Sequence, residues 1–134
     1  MPRYEQVEHT ADLALRICGQ DMRELFANAA SAMFCELAEM CTVVPGVQQL
    51  VEVDGIDYEA LLVNWLNELL YLHETRGEVY STFDIHELSC QALRATIRGE
   101  HTEVVRMQIK AATFHNLKIE RTGTGCVVTV VFDV

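Results

Sequence analysis

The sequence lacks the features that would place the protein in a membrane or an oxidising compartment. Its 134 residues contain no run of about 18 uninterrupted apolar residues and no apolar segment near the N-terminus that resembles a secretion signal. The cysteines number five and are scattered, with no CxxC pair, which excludes a disulfide framework and a zinc motif of that type. They are Cys18, Cys35, Cys41, Cys90 and Cys126. We therefore expect a cytoplasmic protein whose thiols are reduced and mostly buried.

Positive charge is also scarce. Ten lysines and arginines stand against twenty aspartates and glutamates, so the formal net charge is -10 at pH 7. The cations form no cluster along the sequence, and a polyanion without such a cluster repels the phosphate backbone of nucleic acids. The charge balance favours a cation or a basic protein surface as the partner, and we expect no tight direct binding of nucleic acid.

The hydrophobic periodicity predicts an α+β fold. Only two prolines occur, and no repeat or linker interrupts the chain, so residues 1–134 are expected to form a single domain. Helical spacing predicts one helix at about 22–38 and a second that begins after Asp57 and ends before Gly77. Alternation with a period of two predicts strands at 13–17, 48–53, 79–85, 88–98, 104–114, 117–121 and 126–134. We expect two helices packed on a largely antiparallel, multi-stranded β-sheet.

Asp12 lies at the start of an apolar strand, in the stretch HTADLAL. At the other end of the chain, the strand CVVTVVFDV finishes with Asp133 and the α-carboxylate of Val134. If these two strands pair, up to three negative charges come together and require a counter-charge, because like charges opposite one another destabilise a sheet. Ca²⁺ and Mg²⁺ take such oxygen ligands. An aspartate after a threonine also commonly caps backbone N–H groups, and the pattern alone leaves that alternative open.

Four segments of the sequence together resemble the archease family over nearly the whole length: YEQVEHTADLAL, LLVNWLNELLYLHETRGEVYSTF, KAATFHNLKIE and VVFDV. The resemblance implies an archease-like fold and a protein that is not itself an enzyme. It implies an accessory protein of the GTP-dependent RNA ligase of tRNA splicing and RNA repair, which promotes guanylylation of the ligase and its multiple turnover. It also implies a divalent-cation site, matched by Asp12, Asp133 and Val134, with Ca²⁺ expected first and Mg²⁺ or Mn²⁺ as alternatives.

Three further residues are candidates for orienting the metal ligands or for contacting the partner. His9 could orient Asp12, act as a general acid or base, or be a surface histidine. Lys110 could neutralise the acidic cluster or be a solvated charge, and His115 is more often structural. The chain departs from many family members at Phe114-His115-Asn116, where they have Tyr-His-Gly, and in the short loop at 100–105.

Two other classes of function remain open at this point. One is a metal-dependent hydrolase that uses a metal-activated water, although no G-x-S-x-G, P-loop or paired-His motif is present. The other is a metal-free, acidic protein-interaction domain. The acidic pairs Glu74/Glu78 and Glu100/Glu103 are predicted to be solvated, and they could also meet a basic ligase surface.

Overall fold

A computed structural model describes residues 3–7, 12–38, 46–102 and 104–134, which form two helices and eight strands. In chain order these are β1 (Tyr4–Val7), β2 (Leu13–Gly19), α1 (Met22–Leu37), β3 (Val47–Asp54), α2 (Tyr58–Arg76), β4 (Glu78–Leu88), β5 (Ala92–His101), β6 (Ala111–Ala112), β7 (Glu120–Thr122) and β8 (Gly125–Asp133). No helix in these ranges is long and apolar enough to cross a membrane.

The strands divide into two antiparallel sheets. Sheet A has the order β1-β2-β8-β6, with β7 also paired to β8, and sheet B has the order β3-β5-β4. Helix α1 packs against β2 of sheet A and β4 of sheet B, whereas α2 packs against sheet B and β6. The shared core includes Trp65, which is fully buried and donates its indole N–H to the carbonyl of Phe26 at 3.0 Å. The predicted fold class is confirmed.

Both helices begin and end within one residue of the predicted limits because their caps are local. Asp21 accepts a hydrogen bond from the amide of Glu24 at 2.8 Å, and Asp57 accepts one from the amide of Ala60 at 2.8 Å. Each side chain thereby satisfies one of the free N–H groups of a first helical turn. Gly77 ends α2 in the left-handed conformation, with φ of 66°, which glycine adopts without a steric penalty.

The predicted strand at 104–114 is wrong except at Ala111–Ala112. Upstream of these two residues, the amides of Arg106 and Met107 donate to the carbonyl of Leu37 at 2.7 and 3.3 Å, and the Arg106 guanidinium contacts the carbonyl of Cys35. Carbonyl groups in the last turn of a helix have no partner within the helix. This segment therefore caps the end of α1 instead of joining a sheet.

The remaining differences concern strand limits, short elements and the thiols. The strands predicted at 79–85 and 88–98 are β4, which continues to Leu88, and β5, which begins only at Ala92 and ends at His101. Strand β1 was not predicted, and β7 is shorter than the predicted strand at 117–121, whereas the hairpin between β7 and β8 is confirmed by the pairing of Thr122 with Gly125. The four cysteines within the described ranges are free thiols, but only Cys126 is buried, so the expectation of mostly buried cysteines is wrong.

Candidate metal site at the paired strand ends

The register of β2 and β8 brings Asp12 and Asp133 together. The two strands pair from Leu13 with Phe132 to Gly19 with Cys126. Asp12 lies at a bend immediately before Leu13, and Asp133 immediately follows Phe132. The last pair of this ladder, Leu13 with Phe132, therefore brings the two aspartates to the same end of sheet A. The pairing on which the predicted acidic cluster depends is therefore present.

Asp133 is also fixed from its other side. It pairs with Ala111 of β6, and its carbonyl accepts a hydrogen bond from the amide of Lys110 at 2.8 Å. A carbonyl oxygen has two lone pairs, so this contact leaves one of them for a further partner. Because Asp133 pairs with β6 and the preceding Phe132 pairs with both β2 and β6, this strand end is held more firmly than a terminal residue usually is.

The site is open to solvent and contains oxygen donors. Asp12 is half-buried, Asp133 is exposed and Val134 is 40% exposed. Carboxylates and main-chain carbonyls are hard donors that suit Ca²⁺ and Mg²⁺ rather than soft metals, and Ca²⁺ completes its shell of 6–8 oxygens with water or further ligands. Val134 could add a main-chain oxygen. The donor chemistry of these residues thus fits the cation that the family resemblance implies.

The site is incomplete as judged from side chains alone. In the described part of the chain, no group of three or more His, Cys, Asp or Glu side chains is placed to hold a metal ion. The strand ends contribute only two such side chains, from Asp12 and Asp133. His9, a predicted neighbour of Asp12, lies outside the described residues.

The structure places Lys110 and His115 on the chain that flanks Asp133. The main chain of Lys110 contacts Asp133 directly, whereas its side chain is exposed. Further along, Thr113 donates both its amide and its hydroxyl to the carbonyl of Val131, at 3.0 and 2.8 Å. The amide of His115 then donates to the Thr113 hydroxyl at 3.3 Å. Their roles towards a metal or a partner stay predictions.

Asn116 follows His115 with a φ of 51°, in the left-handed region. Asparagine tolerates this region better than most residues, and glycine adopts it freely. The family pattern of glycine at this position therefore corresponds to a backbone requirement that Asn116 also meets.

The sequence interpretation missed a second acidic site, at Glu78. The prediction that Glu78 is solvated is wrong, because the residue is 4% exposed. Its Oε1 accepts hydrogen bonds from the Tyr80 hydroxyl at 2.6 Å and the Gln49 side-chain amide at 3.1 Å, and its Oε2 lies 3.7 Å from Nε2 of His101. Burial, and next the hydrogen bond to Glu78, raise the pKa of Tyr80 above its usual 10.0. Glu74, the other member of the pair, is exposed as predicted.

A family model and individual relatives both match this chain over nearly its whole length. Residues 4–134 match the Archease protein family. The protein archease of Methanopyrus kandleri is 34% identical over 137 residues, covering 97% of this chain and 98% of its own length. That of Archaeoglobus fulgidus is 34% identical over 136 residues, covering 98% of this chain and 99% of its own.

Two solved structures share the fold. The solution structure of Methanobacterium thermoautotrophicum protein 1598 superposes with a TM-score of 0.82 at 31% identity, and the match covers 100% of both chains. The crystal structure of a Thermotoga maritima archease, described as a possible chaperone, superposes with a TM-score of 0.66 at 26% identity, covering 97% of this chain and 96% of its own.

Proposed function

The chain belongs to the archease family, and from that membership we propose that it acts as an accessory protein of a GTP-dependent RNA ligase. In this role it promotes guanylylation of the active-site histidine of the ligase and allows multiple turnover in tRNA splicing or RNA repair. The description of the Thermotoga maritima relative as a possible chaperone supports an action on a protein partner.

The family match over residues 4–134 carries the proposal of this role. A cation site is supported by the pairing of β2 with β8, which ends at Leu13 with Phe132 and so brings Asp12 and Asp133 to the same end of sheet A. Two neighbouring carboxylates repel each other unless a counter-charge lies between them. We propose that these carboxylates and a main-chain oxygen of Val134 hold a divalent cation, Ca²⁺ first and Mg²⁺ or Mn²⁺ as alternatives. The cation supplies positive charge and open coordination positions for oxygen atoms of a partner.

The charge of the whole chain supports a protein partner over RNA. A net charge of -10 allows little release of counterions from a nucleic acid, so the protein alone should not bind RNA tightly. The same charge attracts basic protein surfaces. A gel-shift titration at low salt checks the first expectation, and micromolar binding of free RNA would contradict it.

The direct test is guanylylation of the cognate ligase with radiolabelled GTP, with and without this protein. We expect more guanylylated ligase in a single cycle and more than one ligation per ligase molecule when the ligase is limiting. A reaction without ligase serves as the control for phosphoester hydrolysis. Equal guanylylation with and without the protein would refute the proposal, and hydrolysis by the protein alone would favour the metal-dependent hydrolase instead.

A further inference from the structure

Strand β3 forms an edge of sheet B that faces no strand within the described ranges. The amide of Gly55 donates to the carbonyl of Gln91 at 3.0 Å, in register with the β3–β5 pairing. Hydrogen-bonded pairs alternate along an antiparallel ladder, so the even-numbered residues of β3 direct their N–H and C=O groups away from β5. These residues are Gln48, Leu50, Glu52 and Asp54.

Only the last of these edge positions has a partner on α2. The side-chain amide of Asn64 donates to the carbonyl of Asp54 at 2.8 Å. This contact confirms that the even-numbered carbonyls of β3 face outward. At Leu50 the side chain is 63% exposed, and its edge amide faces no strand in the part of the chain that the structure describes.

The edge of sheet A shows how this protein covers a strand edge. Asn67 of α2 accepts a hydrogen bond from the amide of Ala112 at 2.8 Å and donates one to its carbonyl at 3.1 Å. Its side-chain amide thus occupies the edge of β6 in the way that a neighbouring strand would. An unprotected edge is a template for pairing with another chain, and β3 has such a cap only at its C-terminal end.

Carboxylates line the outer side of the β3 edge. Glu52, Asp54 and Glu87 border a groove on the outer face of sheet B. Arg94 is the cation in this groove; it lies between its cross-strand neighbours Glu52 and Glu87, and its guanidinium is bound to Glu87 at 3.0 Å. The groove therefore carries an excess of negative charge next to the free backbone groups.

The inner side of the same edge is formed by the exposed flank of α2. Asn64, Glu68 and Tyr71 line a second groove that shares Glu52 and Asp54 with the first. Tyr71 is 60% exposed and offers an aromatic surface beside the carboxylate of Glu68. Long basic side chains suit such a surface, because their methylene stems pack on apolar groups while their charged ends reach carboxylates.

We propose that the edge of β3 binds an extended, basic segment of a partner protein by β-strand addition. The main chain of the segment pairs with the outward groups of Leu50 and Glu52, and its alternate side chains enter the two acidic grooves. A second copy of this chain is a poor occupant, because edge-to-edge pairing would bring the same carboxylates together. This binding mode requires neither the strand-end cation nor the ligase proposed above.

The test uses a short synthetic peptide in which lysine alternates with threonine and valine, titrated into the full-length protein and followed by amide NMR shifts. A matched peptide with glutamate in place of lysine is the charge control. We expect saturable binding of the basic peptide with the largest shifts along β3. The acidic peptide should bind at least about tenfold more weakly.

Two variants of Leu50 separate backbone pairing from side-chain contact. Proline at an outward-facing edge position removes the free N–H without removing a bond to β5, so Leu50→Pro should bind the basic peptide about tenfold more weakly. Leu50→Thr keeps the N–H and favours a strand, so its affinity should fall by no more than about threefold. Circular dichroism confirms that both variants are folded.

A second pair of variants tests the charge. Glu52→Lys should weaken basic-peptide binding about tenfold, whereas Glu120→Lys, on β7 of sheet A, changes the net charge equally and should leave the affinity within about twofold. If Leu50→Pro fails to fold, the Glu52 and Glu120 variants still test whether the basic peptide binds at the β3 edge. Absence of basic-peptide binding, shifts centred away from β3, equal affinities within the Glu52/Glu120 pair, or a dimer formed through β3 in sedimentation equilibrium would each overturn the proposal.

Discussion

Glu78 and the two aspartates Asp12 and Asp133 are acidic sites that differ in burial and in hydrogen bonding. Glu78 is buried and receives hydrogen bonds from Tyr80 and Gln49, both within the protein. Asp12 and Asp133 lie at the same end of sheet A, next to the last β2–β8 pair, where Asp133 is exposed and Asp12 is half-buried. A carboxylate surrounded by donors of its own chain holds the fold together. Two carboxylates set against each other at the surface suit a ligand from outside.

The two arrangements differ in what their removal costs. A buried hydrogen-bonded charge is expensive to remove because its former partners stay buried without a substitute. Asp133 is exposed and Asp12 is only half-buried, so loss of either side chain should cost less stability than loss of the buried Glu78. Stability and cation affinity are therefore the two measurements that distinguish the sites.

The largest effect is expected for Glu78→Ala. It leaves the buried Tyr80 hydroxyl and the half-buried Gln49 amide without their acceptor, and the free energy of unfolding in urea should fall by about 3 kcal/mol. Glu74→Ala, at an exposed position on α2, is the matched control and should change stability by less than about 0.5 kcal/mol. If the two variants unfold at the same urea concentration, Glu78 does not have the structural role that its contacts indicate.

Asp12→Asn tests the other site. The substitution keeps the shape of the side chain and removes one charged ligand, so Ca²⁺ affinity in isothermal titration calorimetry should fall about tenfold or more. Without metal, the free energy of unfolding should change by less than about 1 kcal/mol, because Asp12 is only half-buried. Glu120→Gln removes the same charge elsewhere in sheet A and should leave the affinity unchanged. An unaltered affinity in Asp12→Asn would remove Asp12 from the ligand set.

Tyr80→Phe adds a dependence on pH to the comparison. The pKa of Tyr80 is raised in the folded protein, so its stabilising contribution is complete below about pH 10 and is lost as the pH rises from there towards the folded pKa. At pH 7 the variant should be about 1 kcal/mol less stable, because it lacks one hydrogen bond to Glu78. Above pH 10 the free energy of unfolding of the variant should fall less steeply with pH than that of the parent. The difference between the two slopes should be about 1.4 kcal/mol per pH unit. If the stability of the variant and that of the parent fall in parallel above pH 10, the pKa of Tyr80 is not raised by folding.

The smallest effect is expected for Lys110→Met. The main-chain N–H that holds Asp133 is kept, and only the exposed ammonium group beside the strand end is lost. Ca²⁺ affinity should rise by about twofold, since exposed charges interact weakly across solvent. Lys118→Met is the control for the loss of one positive charge. A fall in affinity would mean that Lys110 orders the ligands instead of competing with the cation.

The pairing of β2 with β8 could be predicted from the sequence because the information lies in two short patterns. Leu13, Leu15 and Ile17 must face the same core as Val130 and Phe132, and this requirement fixes the register that ends next to Asp12 and Asp133. The helix limits are equally local, because the caps lie within four residues of the groups that they satisfy.

The segment before β6 could not be predicted in the same way. Met107 is partly buried and Ile109 is 5% exposed, so the alternating pattern does report burial at these two positions, although Val105 is 41% exposed. Its backbone, however, bonds to the carbonyl of Leu37 and not to a strand. Periodicity shows which side chains face the core, and it carries no information on which distant carbonyl receives the amides.

Glu78 was misjudged for a related reason. Glutamate is almost never fully buried unless it is paired, so an isolated glutamate is best predicted as solvated. Its partners Gln49 and His101 come from β3 and β5, and only the assembled sheet brings these residues beside it. Tyr80 lies two residues from Glu78 on β4, so among these three partners it alone is close enough in the sequence for a local pattern to indicate it.

Asn67 gives the molecule a mechanical connection between its two exposed acidic regions. It lines the inner groove of the β3 edge, and its amide holds Ala112, whose neighbour Ala111 pairs with Asp133. A shift of α2 at the edge must therefore either stretch both Asn67 hydrogen bonds or carry β6 along. If ligands at the two proposed sites are coupled through this contact, the factor by which an occupied edge changes cation affinity equals the factor by which the cation changes the affinity of the edge.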